Sequence, residues 1–501
     1  MKIVIRSDAS RWIGSGHIMR CLVLAKALTD DSHSVYFACL PQTGDLISFI
    51  EERGFEVIRL SGVSHPKQPD GNADYATWLQ RSEDLDALDF IERVKSADLV
   101  VTDHYGIGLL WESNVRNHLQ CDIFAIDDLL RQHDADYLLD QTLGRTQEEY
   151  NSKGVVMVGS QYALLSPQFH TIREIALDER EIMPLEPKVL VSMGGVDEPN
   201  ATLRVLKALV GKVDATFTVL LSPRSPNYNE VQQWCTRYHQ VIHIDFTENM
   251  PEMMASHHIA VGAPGTTSWE RACLGLPSII IPLAENQKTI SEQLVKYKAA
   301  IAITLDDIES SILESYDLLL QDWKKYVANN FSLCDGRGIK RILSEFYRSC
   351  DKAESDQYVL DIATKEDIEL IFNWQCHPET RRYALNPQKP EFDQHVNWMN
   401  AKLSQVTDYF YIIKDVDKVN SFGAVRLDRI RKGHYLISIF IDPDSYGKGI
   451  ALSALKIVGS LFSDVTIHAT VLHANKASQR LFEKAKFQRT SKETFIREPL
   501  K

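Results

Sequence analysis

The sequence predicts an α/β protein made of two doubly wound lobes and a third, smaller α/β domain. The first 350 residues alternate short apolar runs with amphipathic segments, a pattern typical of parallel strands joined by helices. The pattern begins again at residue 188, which indicates two similar lobes with a cleft between them. A polar segment at 351–357 then separates these lobes from a region of different style.

The predicted elements follow from the periodicity of apolar residues. In the first lobe, Ile18, Cys21, Leu22, Ala25 and Leu28 share one side of a helix. Strands are predicted at 3–5, 35–40, 56–60, 99–102 and 123–126, then at 188–192, 216–221, 241–244, 259–261 and 278–281, with a helix from Asn200 and a closing helix at 339–350. The last domain should contain helices at 365–377, 391–404 and 476–485 and one from residue 450, with strands at 409–414, 423–428, 435–441 and 465–471.

These boundaries define three domains and a linker. We expect the first lobe at 1–155, the second at 156–350, the linker at 351–357 and the third domain at 358–501. A step in charge supports the division, because residues 1–350 carry a net charge of −15 and residues 351–501 a net charge of +2.

The composition excludes several classes of protein. Of the 501 residues, 44% are hydrophobic and 25% charged, values that belong to globular rather than disordered or fibrous chains. A net charge of −13 argues against a nucleic-acid-binding surface. No signal peptide and no apolar stretch of membrane-spanning length is found, and the eight cysteines show no C-x-x-C spacing, so we expect a cytoplasmic protein with reduced thiols.

A glycine-containing loop follows the first strand and opens the first helix. It reads Ile-Gly-Ser-Gly-His-Ile-Met-Arg over residues 13–20. Gly14 and Gly16 let the backbone approach a ligand closely, and the free N–H groups of a helix N-terminus suit an anion. His17 lies on the first turn, where the helix dipole favours the neutral imidazole that a general base needs. A structural histidine in a tight turn remains the alternative.

A second loop joins a strand to a helix in the second lobe. It reads Gly-Ala-Pro-Gly-Thr-Thr-Ser-Trp-Glu over residues 262–270. The pattern of Gly262, Gly265, Thr266, Thr267 and Ser268 suits a diphosphate. Glu270, one turn further on, can accept hydrogen bonds from ribose hydroxyls. An ordinary glycine-rich turn remains the alternative, and the Gly-Lys-Ser/Thr end of a P-loop is absent.

Further polar residues stand where other strands end. Asp103 and Tyr105 follow the strand at 99–102, and Asn286 and Gln287 follow the strand at 278–281. Ligands of open α/β sheets bind beyond the carboxyl ends of strands, so we expect these groups at one cleft. The adjacent Asp127 and Asp128 could hold a metal, but capping or supporting roles are favoured and we expect no metal site.

The third domain contains the turn Tyr-Gly-Lys-Gly-Ile-Ala at 446–451, between a strand and a helix. Gly447, Gly449 and Ala451 leave consecutive backbone N–H groups open to a pyrophosphate. Asn475 follows one strand later, at the start of another helix. A single G-x-G is a weak signal, but this order of elements strengthens it.

With these motifs in view, residues 1–350 resemble the hydrolases that remove UDP from UDP-2,4-diacetamido-2,4,6-trideoxy-β-L-altropyranose in pseudaminic acid biosynthesis. The resemblance rests on residues 6–9, 13–17, 103–106, 162–164, 192–197 and 286–287, which occur in order. It implies two Rossmann-like lobes of the GT-B type. It also implies that His17 activates water for inverting attack at the anomeric carbon and that Tyr105 and Asn286 contact the sugar and nucleotide. We expect Gly14, Gly16, Arg20, Asp103 and Gln287 to line the same substrate site.

Residues 358–501 resemble the GNAT family of N-acetyltransferases. Trp374, Arg381, Trp398, the 446–451 turn and the segment 475–487 carry the likeness. It implies acetyl-CoA as cosubstrate, bound by Gly447, Gly449, Ala451 and Asn475. Two positions depart from the family: Tyr446 replaces the usual Gln or Arg, and Phe482 stands near the usual position of a tyrosine acid. Water or another group would then protonate the leaving thiolate.

The two resemblances together imply a bifunctional enzyme that acetylates the 4-amino group of a UDP-sugar and then releases UDP. We expect a UDP-sugar and acetyl-CoA as partners, with no nucleic acid or membrane. Three alternatives stay open: a glycosyltransferase that uses a UDP-sugar donor, a non-catalytic nucleotide-sugar sensor, and a GNAT domain that acts on a different amine.

Overall fold

The computed structural model describes residues 1–71, 73–350 and 357–500. The chain divides into two compact units, Met1–Ile342 and Leu343–Lys501. The first unit holds two parallel sheets and the second a mixed sheet. This is the predicted fold class: two Rossmann-like lobes followed by a smaller α/β domain.

The first lobe is a parallel sheet with the strand order β3-β2-β1-β4-β5-β6-β7. Its strands are β1 Lys2–Ser7, β2 Ser34–Cys39, β3 Glu56–Arg59, β4 Leu99–Asp103, β5 Asp122–Ile126, β6 Tyr137–Asp140 and β7 Val155–Val158, and its helices are α1 Gly16–Asp30, α2 Ile47–Glu52, α3 Tyr75–Trp78, α4 Glu83–Val94 and α5 Leu109–Leu119. The register pairs Ser7 with Asp103, so the loop after β1 emerges beside the end of β4.

The second lobe repeats the design with the strand order β10-β9-β8-β11-β12-β13. Its strands are β8 Lys188–Ser192, β9 Thr216–Leu220, β10 Val241–Ile244, β11 Ile259–Gly262, β12 Ser278–Ile280 and β13 Ala300–Ala302, and the helices of this region are α6 Pro167–Glu179, α7 Ala201–Leu209, α8 Tyr228–Cys235, α9 Met250–Ala255, α10 Thr266–Cys273, α11 Gln287–Lys296, α12 Ile308–Gln321, α13 Trp323–Leu333 and α14 Gly338–Cys350. Gly262 pairs with Ser192, which places the loops after β8 and β11 side by side.

Helix α6 leads from the first sheet to the second lobe and is anchored there by buried arginines. Arg180, at its C-terminus, donates to the carbonyls of Leu274 at 2.6 Å and His257 at 2.7 Å. Arg173 donates to the carbonyl of Cys273 at 2.9 Å. Helix C-termini leave carbonyls without partners, and these guanidinium groups satisfy them.

The third domain is built on a mixed sheet with the strand order β14-β15-β16-β17-β18-β20-β19. Its strands are β14 Tyr358–Ile362, β15 Tyr409–Asp415, β16 Ser421–Arg431, β17 His434–Ile441, β18 Thr466–Thr470, β19 Gln488–Arg489 and β20 Thr494–Arg497, and its helices are α15 Ile368–Cys376, α16 Pro378–Arg381, α17 Phe392–Leu403, α18 Ile450–Leu461 and α19 Lys476–Lys484. The parallel pairing of β17 with β18 ends at Ile437 and Ala469, although β17 continues to Ile441.

The predicted domain boundaries meet this structure at two places. The first sheet continues through β7 to Val158, past the expected lobe boundary at residue 155, because Tyr137–Asp140 and Val155–Val158 pair with each other. The predicted linker, 351–357, lies outside the described residues except for its last position. In the part of the chain that is described, no helix combines the length and apolar character needed to cross a bilayer.

Candidate active site

The loop after β1 is a tight turn built around Ser10. The Ser10 hydroxyl accepts the backbone N–H groups of Trp12 and Ile13, each at 3.2 Å, and its carbonyl accepts the N–H of Gly14 at 3.0 Å. Gly14 takes the left-handed conformation, with φ of 77°, which glycine adopts without strain. The turn leads directly into α1 and places His17 on its first helical turn.

His17 is bonded to a buried carboxylate at the end of β4. Its Nδ1 lies 2.5 Å from Oδ1 of Asp103, which is fully buried. Burial disfavours the charged carboxylate, but Arg20 and His17 outweigh it and hold the pKa of Asp103 well below its usual range. An ionised Asp103 accepts the Nδ1 proton and fixes the tautomer in which Nε2 carries a free lone pair.

Behind this pair stands a buried network of charges. Arg20 donates to both oxygens of Asp103 at 2.7 Å and to Oδ2 of Asp128 at 2.8 Å. The Tyr105 hydroxyl donates to the same Asp128 oxygen at 2.9 Å. We predicted Arg20 and Asp103 as substrate contacts, but their charged groups are buried and bonded to one another. This geometry favours a role in orienting His17.

Aromatic rings enclose the other sides of His17. The Tyr105 ring packs edge-on against the imidazole with centroids 4.6 Å apart, and Trp78 lies at 6.3 Å. Tyr75 contacts both Trp78 and Tyr105, at 4.9 and 5.0 Å. Tyr75 and Trp78 were not predicted as site residues, because two isolated aromatics on a four-residue helix carry no spacing signal. Their packing limits the motion of the imidazole ring.

In the second lobe, some polar groups of the loop from β11 into α10 already bond one another. The Ser268 hydroxyl accepts from the Gly265 N–H at 3.2 Å and from Arg271 at 3.1 Å. The hydroxyls of Thr266 and Thr267 make no hydrogen bond to another residue in the described ranges, so they remain available to a ligand at the helix N-terminus. Backbone N–H groups and hydroxyls there suit an anion.

Glu270 carries a buried oxygen that lacks a partner. Its Oε2 accepts no hydrogen bond from any described residue. Burial raises the pKa of Glu270 to about 7, although the neighbouring Arg271 opposes the rise. A buried acceptor without a donor is costly in free energy, so this oxygen is suited to a ligand hydroxyl.

Gly262 is required by the packing of the sheet, and its predicted contact with a ligand stays a prediction. A Cβ atom at this position would lie 2.2 Å from the carbonyl oxygen of Ser192 on the adjacent strand. Only glycine allows β8 and β11 to approach this closely, so the geometry assigns Gly262 to the sheet.

The two predicted loops face each other between the lobes. A Cβ atom on Gly16 would lie 4.0 Å from Oγ1 of Thr266, and one on Gly195 would lie 3.7 Å from Oγ of Ser15. The N-termini of α1 and α10 therefore approach each other, and the loop after β8 lies against the first of them. A ligand held on α10 would be presented to the first turn of α1.

The loop between β12 and α11 borders a cavity of about 510 Å³. It is lined from the second lobe by Pro282, Leu283, Ala284, Glu285 and Lys288 and from the first lobe by Gly71, Ala73 and Asp74. Asn286 lies in the sequence between Glu285 and Lys288 of this lining, and its side chain makes no hydrogen bond to another described residue. The Gln287 side chain is occupied, because its Oε1 accepts the backbone N–H of Leu283 at 2.7 Å.

In the third domain, the 446–451 turn has the open backbone that was predicted. Gly447 and Gly449 both have φ of 80°, and a Cβ atom on either would meet no heavy atom within 4 Å. Ala451 follows on the first turn of α18. Asn475 acts as the N-cap of α19, since its Oδ1 accepts the Ser478 N–H at 3.0 Å, and the N–H groups of its side-chain amide take no part in the cap.

No cluster of three or more metal-ligating side chains occurs among the residues that are described. Asp127 and Asp128 do not converge on one point. Asp127 bonds Arg131 at 2.8 Å, whereas Asp128 bonds Arg20 and Tyr105. Both carboxylates therefore support neighbouring side chains.

Comparison with known proteins gives matches to both units. Residues 155–332 match the glycosyltransferase family 28 C-terminal domain, and residues 359–488 match the acetyltransferase (GNAT) domain. A UDP-2,4-diacetamido-2,4,6-trideoxy-β-L-altropyranose hydrolase of Campylobacter jejuni is 27% identical over 301 residues, covering 59% of this chain and 97% of the relative. An uncharacterized protein of Methanocaldococcus jannaschii is 24% identical over 510 residues and 98% of both chains.

Among solved structures, spermidine N-acetyltransferase of Vibrio cholerae in complex with CoA and spermine is 20% identical to this chain. The match covers 28% of this chain and 96% of that chain, with a TM-score of 0.26.

The family and homologue matches confirm the resemblances expected from the sequence. The chain is homologous to the hydrolase over its N-terminal part, contains a glycosyltransferase family 28 C-terminal domain, and ends in a GNAT acetyltransferase domain.

Proposed function

We propose that the first unit hydrolyses UDP-2,4-diacetamido-2,4,6-trideoxy-β-L-altropyranose, or a close diacetamido relative, to UDP and the free sugar. The observation that carries the proposal is the bond between His17 and the ionised Asp103, placed where α1 meets the N-terminus of α10. The homology to the Campylobacter jejuni hydrolase extends over 301 residues and 97% of that relative, and it supports the substrate class.

The proposed reaction needs one proton acceptor and a site for the leaving group. Nε2 of His17 takes a proton from water as the water oxygen bonds the anomeric carbon. The bond between that carbon and the diphosphate oxygen breaks, and UDP leaves with the electron pair. Attack opposite the leaving group inverts the anomeric centre. The proton on Nδ1 stays with His17, held by Asp103, which stabilises the imidazolium that forms.

The second lobe supplies the nucleotide site in this proposal. Backbone N–H groups at the start of α10, with the hydroxyls of Thr266 and Thr267, would hold the diphosphate and stabilise its developing charge. The unpaired oxygen of Glu270 would accept a ribose hydroxyl. Asn286 extends the site along the cleft edge.

We propose further that the GNAT domain acetylates the 4-amino group of the UDP-sugar that precedes the hydrolysis substrate. The open turn at Gly447 and Gly449 fits the diphosphate of acetyl-CoA, which supplies the acetyl group as a thioester. The amine nitrogen bonds the thioester carbonyl carbon, and the carbon–sulfur bond breaks so that CoA leaves as the thiolate with the electron pair. The proton lost by the amine passes through water to that thiolate, which is released as CoA thiol. The two domains would then catalyse successive steps on one nucleotide sugar.

A coupled assay tests both halves of this function. The full chain is incubated with the 4-amino UDP-sugar in ¹⁸O-labelled water, with and without acetyl-CoA. We expect an acetyl mass gain that requires acetyl-CoA, followed by release of UDP and one ¹⁸O atom in the free sugar. Acetylation of the 4-amino UDP-sugar without release of UDP would contradict the hydrolase. If the chain released UDP from a presynthesised diacetamido UDP-sugar but did not acetylate the 4-amino UDP-sugar, the GNAT assignment would be contradicted.

A glycosyltransferase is the second candidate, favoured by the match of residues 155–332 to a glycosyltransferase domain. It would use the same UDP-sugar site but transfer the sugar to an acceptor hydroxyl. Addition of candidate acceptor sugars to the same assay separates the two functions, because transfer would replace the ¹⁸O-labelled product by an unlabelled glycoside.

The proposed ribose contact predicts a pH dependence of UDP binding. Donation from ribose hydroxyls favours the ionised carboxylate, and the pKa of Glu270 is raised to about 7 in the free protein. UDP affinity should therefore rise with pH through 7, with binding at pH 6 weaker than at pH 8 by about tenfold at most, since one pKa unit corresponds to a factor of ten. Calorimetric titration measures the effect.

Glu270→Gln is the matched control, because it keeps the shape and an acceptor but cannot titrate. The phosphate of UDP titrates in the same range and contributes equally to both proteins. In the variant, only the part of the pH dependence of UDP binding that comes from the phosphate should remain. The same pH dependence in both proteins would contradict the assigned contact.

A further inference from the structure

A side chain of the second lobe reaches the loop that presents His17. Arg224, in the segment after β9, directs its Nη2 atom to two carbonyl oxygens of the first lobe. It donates to Gly44 at 2.6 Å and to Ser10 at 3.4 Å. A guanidinium in this position joins the lobes through backbone atoms rather than through a charged side chain.

The carbonyl groups of Ser10 and Gly44 both lie in backbone segments that hold the glycine-containing loop in place. The Ser10 carbonyl also accepts the N–H of Gly14, the bond that closes the turn before α1. The residue preceding Gly44, Thr43, accepts the backbone N–H of Arg11 at 3.2 Å. Arg224 thus holds the two backbone segments on which residues 10–16 rest.

We propose that Arg224 is a positioning residue that fixes the His17 loop when the two lobes are assembled around a nucleotide sugar. This inference rests on the proposed hydrolase function. Arg224 is not itself expected to touch the reacting atoms, since its Nη2 bonds backbone carbonyls. It acts by keeping Nε2 of His17 at the distance and angle that attack by water requires, where a displacement of about 1 Å can cost as much as a hundredfold in rate.

A second contact between the lobes serves as the control. Arg53, the residue that follows α2, lies 3.8 Å from Glu248 of the second lobe, and the Glu248 side chain is 78% exposed. Arg53 also stacks on Phe49, whose ring lies 6.1 Å from that of Phe246. This pair joins the lobes without bonding residues 10–16, so it separates adhesion between lobes from support of the loop.

The kinetic test compares Arg224→Ala, Arg224→Lys and Arg53→Ala in the full chain. For Arg224→Ala we expect kcat for UDP release to fall about ten- to a hundredfold, with the Kd of UDP within about twofold of wild type because UDP is assigned to residues 262–270. Arg224→Lys, which keeps one donor, should recover part of kcat, and Arg53→Ala should keep nearly all of it. Equal losses in Arg224→Ala and Arg53→Ala, or none in either, would overturn the proposal.

Hydrogen exchange supplies a readout that does not depend on hydrolysis. The backbone amides of residues 11–14 should exchange faster in Arg224→Ala than in wild type and Arg53→Ala, both with and without UDP. If the wild-type chain released no UDP from its substrate, the hydrolase proposal would fail while this comparison still tested the loop contact. Unchanged exchange at residues 11–14 in Arg224→Ala would overturn the positioning role.

Discussion

Replacement of His17 by alanine is expected to lower the rate of UDP release by about 10²–10⁴-fold, the range that a positioned general base contributes. The side chain is nearly enclosed by Tyr105, Trp78 and Asp103, and its Nδ1 is committed to Asp103. Nε2 is therefore the ring atom left to receive a proton from water. Initial rates with the diacetamido UDP-sugar, measured by release of UDP, test the expectation.

Asp103→Asn separates positioning of the base from its presence. An asparagine amide in place of the carboxylate would donate to Nδ1, move the ring proton to Nε2 and remove the lone pair that the mechanism needs. We expect a loss comparable to that of His17→Ala, with UDP affinity retained because the nucleotide site belongs to the other lobe. The double variant should be little worse than either single one, since the two residues act as one unit.

The control for both variants is His118→Ala. His118 is an exposed histidine on α5 that bonds the carbonyl of Asn114 at 2.8 Å. It should release UDP at the wild-type rate. Undiminished turnover in His17→Ala would remove the base assignment, and with it the mechanism proposed for the first unit.

Most of the fold could be predicted where the apolar periodicity is strong, whereas elements with weak periodicity or very short apolar runs could not. The strands at 188–192 and 241–244 have the predicted bounds, because they are apolar runs with clear edges. Strands β6 and β13 were missed, since such short runs become strands by pairing with neighbours that the sequence does not reveal. Helix α1 begins at Gly16, two residues before Ile18, the first residue of its apolar periodicity, because its first turn is polar.

In the candidate site, residues in local sequence motifs could be predicted, whereas contacts between residues far apart in the sequence could not. His17, Asp103 and the 262–270 loop could be named because each stands where a strand ends, and the structure places His17 against Asp103. The carboxylate network behind His17 and the reach of Arg224 to Ser10 could not be named. The bonds from Arg20 to Asp128 and from Arg224 to Ser10 join residues 108 and 214 positions apart, and no spacing in the sequence encodes them.

The largest expected effect on stability is that of Arg6, a fully buried arginine in β1 beneath the His17 loop. It donates to both oxygens of Asp86 at 3.0 Å and to Oδ1 of Asp8 at 2.6 Å. Arg6→Met would leave the Asp8 carboxylate without its cation, while Asp86 would keep Arg81 and the indole of Trp111. Removal of one member of a buried ion pair typically costs about 3–5 kcal/mol.

We therefore expect the free energy of unfolding of the first unit to fall by about 3–5 kcal/mol in Arg6→Met, measured by urea denaturation. Arg204→Met is the surface control, since its pair with Glu309 is solvent-exposed and should be worth less than about 1 kcal/mol. Equal effects of the two substitutions would contradict the assignment of a buried network.

The pH dependence of the same variant identifies the residue that is left unpaired. Burial already raises the pKa of Asp8, and Arg6 opposes that rise. Without Arg6 the folded-state pKa of Asp8 should move further above its unfolded value, so the folded state binds the proton more tightly than the unfolded one and loses stability as pH rises. The deficit of Arg6→Met should thus be smaller at pH 5 than at pH 8. Arg6→Met combined with Asp8→Asn should remove that difference and recover part of the lost stability, because asparagine carries no charge and its carbonyl can still accept the Leu40 N–H that Asp8 accepts at 2.8 Å.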